Sequence, residues 1–169
     1  MIERDIHGWK CTPEDFANDV HWFTLQEMTS SLLLDAARIA GIDPMPNPHQ
    51  VEALRQLCIH VLDPLRDGWN GPILINSGYR CPWINKMVGG VKNSQHTKGE
   101  AADIRPWDYG GMNNRMLNRR LLGLILYLGL PFDQLLAENC DDKGYPEWLH
   151  ISFKSKLENR NQFLMNKKK

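Results

Sequence analysis

The chain has 169 residues and a mass of 19.5 kDa, enough for one domain that buries roughly 70% of its unfolded surface without a disulfide framework. Its 20 basic and 20 acidic residues cancel to a pI near 7.0, with 42% hydrophobic and 24% charged residues. That balance excludes a disordered chain, argues against a nucleic-acid binder, and leaves no run of the ~18 apolar residues a membrane span needs.

In chain order, residues 1–20 mix Glu3, Arg4, Asp5, Lys10, Glu14, Asp15 and Asp19 with apolar positions and break at Gly8-Trp9. They contain no signal-peptide core, so synthesis in the cytoplasm is expected. The segment to residue 21 reads as an N-terminal extension that either wraps on the body or stays partly mobile. Thr24 and Glu27 have capping-box spacing, and a helix over 31–39 is expected to end at Gly41. Pro44, Pro46 and Pro48 mark a loop.

The clearest helix spans 48–67, where Val51, Leu54, Leu57, Cys58, Val61, Leu62 and Leu65 form an apolar stripe. Pro64 is expected to end or kink it. Strands are expected at 72–77, 101–105, 132–138 and 148–153, with a second long helix over 113–128. Helices followed by interleaved strands make an α+β domain over 22–160 with no internal repeat. Lys167, Lys168 and Lys169 suggest a solvated basic tail over 161–169. Cys11, Cys58, Cys81 and Cys140 form no CxxC pair, and reduced thiols are expected.

Chemistry concentrates in two stretches, Ser94 to Asp103 and Glu147 to His150. Strand alternation places Ala101, Asp103 and Arg105 on one face, and Ala102 and Ile104 on the other. Gly99 permits a tight turn that returns His96 toward Asp103. In the last strand Trp148, His150 and Ser152 share a face, while Leu149, Ile151 and Phe153 form the core face. Two imidazoles and a carboxylate suit a zinc ion with an open fourth position. Taken singly, each histidine also fits an ordinary hydrogen-bonding role, and Asp103 an ion pair with Lys98 or Arg105. His7, His21, His49 and His60 sit in no comparable constellation.

The pattern Ser94-x-His96-x-x-Gly99-x-Ala101-x-Asp103, followed by Glu147-x-x-His150, resembles the zinc D-alanyl-D-alanine carboxypeptidase and dipeptidase superfamily of metallopeptidases. The closer likeness is to its carboxypeptidase-like branch of phage and prophage type. Asn76-Ser77-Gly78-Tyr79-Arg80-Cys81-Pro82 and Asn85-Lys86-Met87-Val88-Gly89-Gly90 belong to the same likeness, which runs over about 22–153. It implies a Hedgehog-like fold with a small antiparallel sheet packed by helices. It further implies one Zn²⁺ held by His96, Asp103 and His150, Glu147 as catalytic base, and Arg80 near the substrate carbonyl.

Spacing alone does not give Glu147 that role, since an odd separation from His150 points it away on a regular strand, where it is simply a solvated carboxylate. Arg80 also fits a structural ion pair or backbone clamp. The implied activity is hydrolysis of D-amino-acid-containing peptide bonds in peptidoglycan stem peptides, by a carboxypeptidase or an endolysin-like endopeptidase. The expected enzyme is a monomer that contacts neither nucleic acid nor membrane and reaches the wall by phage-type release. The rival expectation is a non-catalytic zinc-containing wall-binding or phage structural module.

Overall fold

The computed structural model describes residues 4–5, 8–9, 11–108, 110 and 114–167. Strands β1 (Arg4–Asp5) and β2 (Gly8–Trp9) form a short antiparallel pair. Helix α1 (Pro13–Asp19) is started by Thr12, whose side chain exchanges hydrogen bonds with Asp15 in a capping box. Cys11 and Phe16 are fully buried, the Cys11 amide donates to the Pro48 carbonyl, and Asp19 pairs with Arg55 at 2.7 Å. Residues 11–20 are thus part of the folded body rather than an appendage to it.

Helix α2 (Leu25–Met28) carries the Thr24–Glu27 capping box, and α3 (Leu34–Ile39) ends before Gly41 at φ 73°. Asn47 caps α4 (Pro48–Leu57), which continues through a π-helical turn, Cys58–Leu62, into α5 (Asp63–Trp69). The expected break at Pro64 is resolved by this turn. The Asp63 amide bonds back to the Cys58 carbonyl, widening the helix just before the residue that lacks a donor. The Asp63 carboxylate accepts from the amides of His21 and Trp22, fastening the chain that leads into α2.

The sheet is built from β3 (Ile73–Ser77), β4 (Ala101–Pro106), β5 (Gln134–Cys140), β6 (Trp148–Ser152) and β7 (Gln162–Lys167), in the order β3-β4-β6-β5-β7. Between them lie α6 (Pro82–Met87), a 3₁₀ turn at Gln95–Lys98, and α7 (Arg115–Tyr127), which is capped by Asn114. Position 113, where this helix was expected to begin, lies outside the described residues. Two expectations need correction. The sheet is mixed rather than purely antiparallel, because β7 runs parallel to β5. Residues 162–167 are a strand and not a tail, while Lys168 and Lys169 lie outside the described residues. Phe163, Leu164 and Met165 are all partly exposed on this edge strand, so its sequence carries no alternation to betray it.

Ala102 and Ile104 of β4 and Leu149 and Ile151 of β6 are fully buried in one apolar core with Leu121, Leu122 and Ile125 of α7 and Leu57, Leu62 and Leu65 of the long helix. Helices therefore cover one face of the sheet. The opposite face, carrying Asp103 and His150, lines a cleft. All four cysteines are buried and free.

Candidate metal centre

Asp103 and His150 are directly opposed in the β4–β6 ladder, so their side chains leave the same face of adjacent strands. His96 arrives from the 3₁₀ turn. Ser94 caps that turn by accepting from the His96 amide, and Gly99 closes it at φ 75°. A Cβ on Gly99 would lie 2.4 Å from the Gln50 carbonyl oxygen, so both the left-handed conformation and the space demand glycine. The Arg80 amide donates to the His96 carbonyl, tying the turn to the Gly78-Tyr79-Arg80 segment.

The three side chains meet in a near-equilateral triangle. His96 Nε2 lies 3.2 Å from His150 Nδ1, His150 Nδ1 lies 3.0 Å from Asp103 Oδ1, and Asp103 Oδ1 lies 3.3 Å from His96 Nε2. Zinc bonds of about 2.0–2.1 Å at tetrahedral angles set ligand atoms about 3.3 Å apart, so the triangle has the right size for one face of a zinc tetrahedron. Among the described residues this trio alone combines three metal-ligating side chains at such range.

The ring of His96 is oriented by its other nitrogen, since Nδ1 donates to the Gly78 carbonyl at 2.7 Å and leaves Nε2 with its lone pair toward the trio. His96 is 2% and His150 9% exposed, which keeps competing water from most of the donor set. Burial pushes the Asp103 carboxyl up, but hydrogen bonds and charge from His150 and His96 outweigh it and hold Asp103 well below the usual carboxylate range. Asp103 is thus the anionic member of the trio.

The trio lies in the wall of a cleft of about 610 Å³, within the usual range for small-ligand sites. Arg80 lines the same cleft. Burial lowers its guanidinium pKa while Asp103 opposes that shift, and its Nε is buried with no hydrogen-bond partner among the described residues.

Glu147 is not among the residues that line the cleft. Its Oε2 accepts from Arg115 at 3.1 Å and from Asn139 Nδ2. The backbone around it is held by α7 as well, since Asn118 donates to the carbonyls of Pro146 and Glu147.

Cleft residues with no part in the expected set include Gln95, Glu138, Trp148 and Arg160. Asp133, fully buried, receives Gln95 Nε2 at 2.7 Å and the Arg160 guanidinium, and so orders that wall of the cleft. Alternation along β5 could have shown Glu138; nothing local marks Arg160.

A model of the Peptidase M15 family matches residues 22–120, more than half of the chain. The match includes Arg80, His96 and Asp103. Among curated proteins none matches the chain.

Proposed function

We propose a substrate for this chain, which belongs to the peptidase M15 family of zinc-dependent metallopeptidases: the D-amino-acid-containing peptide bonds of bacterial peptidoglycan. Bond cleavage at the stem-peptide terminus makes it a D,D-carboxypeptidase, and cleavage within a cross-link makes it an endopeptidase. The proposed architecture is of the Hedgehog type. The proposed setting is wall lysis or remodelling after phage-type release, by a monomer that engages stem peptides and neither nucleic acid nor membrane.

The observation that carries this reading is the triangle of His96 Nε2, His150 Nδ1 and Asp103 Oδ1 in a cleft that Arg80 also lines. These three residues would hold Zn²⁺, whose Lewis acidity lowers the pKa of a water it holds toward ~7 and polarises a peptide carbonyl. Asp103 supplies one negative charge and the imidazoles none, so the loaded centre stays cationic. Arg80 donates to the carbonyl oxygen as it gains negative charge. Losing one such donor typically costs about 3 kcal/mol of transition-state stabilisation. The resemblance assigns proton transfer to Glu147.

Digestion of purified peptidoglycan with and without a chelator, alongside metal analysis of the same sample, tests the proposal. Released D-alanine identifies the carboxypeptidase and opened cross-links the endopeptidase. Stoichiometric zinc with no product would replace the enzyme by the non-catalytic wall-binding module.

A further inference from the structure

Arg160 stands at one end of the cleft that holds the trio, and we infer that its guanidinium binds the terminal carboxylate of the peptide and so selects the last bond for cleavage. This inference rests on the metallopeptidase reading above and chooses the bond within it. Arg160 lies beyond the residues that the family model matches, and it lines the cleft together with Gln95, Gln134 and Leu136.

The guanidinium is fixed along one edge. Its Nε donates to Asp133 Oδ1 at 2.9 Å and to Oδ2 at 3.1 Å, and Nη2 donates to the same Oδ2. The Arg160 amide also donates to Oδ1, at 3.0 Å. Asp133 is fully buried, and its Oδ2 accepts from Gln95 Nε2 at 2.7 Å. Gln95 precedes His96, so one buried carboxylate couples the position of Arg160 to the turn that carries a member of the trio. With Nε and Nη2 committed to Asp133, Nη1 makes no hydrogen bond among the described residues, and the side chain is 49% exposed. An arginine held along one edge and open along the other meets a carboxylate with its orientation already set.

The sheet register sets the distance from this edge to the reacting centre. Leu136 opposes His150 in the β5–β6 ladder. Gln134 donates its amide to Ser152 Oγ and pairs with Gln162, two residues after Arg160. The Asp133 amide donates to the Ser152 carbonyl at 2.7 Å, so the Asp133–Arg160 pair sits at the level of Ser152. From the level of His150 to that of Ser152 is two strand residues, roughly 7 Å. When a scissile carbonyl lies at the trio, the terminal carboxyl carbon is one residue further on, roughly 3.5 Å. A charge-assisted N–H···O bond of about 2.8 Å spans most of the remainder. Each additional residue after the scissile bond adds another ~3.5 Å and carries the carboxylate past Arg160. The fit is to a leaving group of a single residue, which is the cleavage of a carboxypeptidase. A side-chain carboxylate of the stem peptide offers the same chemistry from another source, and amidation of the terminus alone separates the two.

Two peptides ending in D-alanyl-D-alanine test this, one with a free C-terminal carboxylate and one with that terminus amidated, each keeping an internal glutamate carboxylate. kcat/KM for both is measured with the full zinc-loaded chain as wild type, Arg160→Gln and Arg160→Lys, alongside zinc content. Each protein is compared with itself, so partial misfolding of a variant cancels from the ratio. Wild type is expected to prefer the free acid about 10–100-fold, the effect of a hydrogen bond to a charged group. Arg160→Gln should erase most of that preference, with the loss falling on the free acid and zinc content unchanged. Arg160→Lys, which keeps the charge without the fork, should fall between the two. An arginine that only braces Asp133 would lower both rates together, so a wild-type ratio in either variant would overturn the inference. So would a wild type indifferent to amidation, which would leave the peptidase reading intact and point to the side-chain carboxylate or to an endopeptidase. Cleavage of neither peptide by the wild type would refute the peptidase reading instead. Calorimetric binding of the same two peptides to wild type and Arg160→Gln would then still decide whether Arg160 holds the carboxylate, equal affinities overturning it.

Discussion

His96 Nδ1 donates to the carbonyl oxygen of Gly78 at 2.7 Å, so a backbone atom of a loop fixes the tautomer of a side chain in the candidate metal centre. That loop cannot easily move. The Tyr79 amide donates to the Met28 carbonyl at 2.7 Å, and a Cβ on Gly78 would lie 2.1 Å from the same oxygen. Gly78→Ala must therefore displace backbone, and with it the carbonyl that orients His96. We expect zinc affinity to fall about 10–100-fold, the usual effect of losing an outer-shell partner. Titration against a competing chelator measures this; unchanged affinity would show that the Gly78 contact does not set the ring.

Removing a ligand should act more severely. Asp103→Asn and His150→Ala each leave two donors of three, and less than one-tenth of an equivalent of zinc should survive gel filtration. In the wild type, metal removal by chelator should lower Tm, because an ion bound only by the folded state stabilises it by mass action. A full zinc complement in His150→Ala would refute the ligand set.

Asp133 predicts an acid-sensitive term in stability. Hydrogen bonds from the Arg160 side chain hold this fully buried carboxyl down to about 2, against the opposing effect of burial. An unfolded aspartate titrates near ~3.9, so the folded state favours the ionised form by roughly 2–3 kcal/mol. The sign is that of a depressed carboxylate: the stabilisation is complete above about pH 4 and disappears as pH falls toward 2. Denaturant unfolding of Asp133→Asn should show a loss of about 2 kcal/mol at pH 7 and a flatter profile between pH 4 and 2. A wild-type slope in the variant would exclude Asp133 as its source.

The packing of α1 carries its own test. Phe16 of α1 lies in the segment that precedes the family match and is fully buried. Phe16→Ala should cost about 3–5 kcal/mol, as large-to-small changes in a closed core do. Equilibrium denaturation would check it, and a loss below 1 kcal/mol would mean that α1 contributes little to the body.

Much of the centre was legible because its two strands alternate cleanly. Asp103 sits between Ala102 and Ile104, and His150 between Leu149 and Ile151, so burial of the apolar neighbours fixes the direction of both ligands. What the sequence could not show is pairing. Nothing in either segment states that Asp103 faces His150; that fact resides in the hydrogen-bond ladder. Local signals were also missed where they were weak or unfamiliar. Thr12 and Asp15 repeat the spacing of Thr24 and Glu27 and start α1. Cys81 begins α6 through a sulfur that accepts from the Ile84 amide at 3.5 Å, a poor cap that no standard pattern includes. The last strand is found only by its partner, since it borrows its order from β5.

The direct opposition of Asp103 and His150 ties assembly to chemistry. Side chains along a strand alternate, so a slip of β6 by one residue against β4 would turn His150 into the core and set Leu149 or Ile151 beside Asp103. Such a chain would keep many of its ladder bonds yet lose the ability to bind an ion strongly. An ion bound by the trio during folding would therefore act as a proofreader of strand alignment, since it would hold only those molecules whose ladder closed in the native frame.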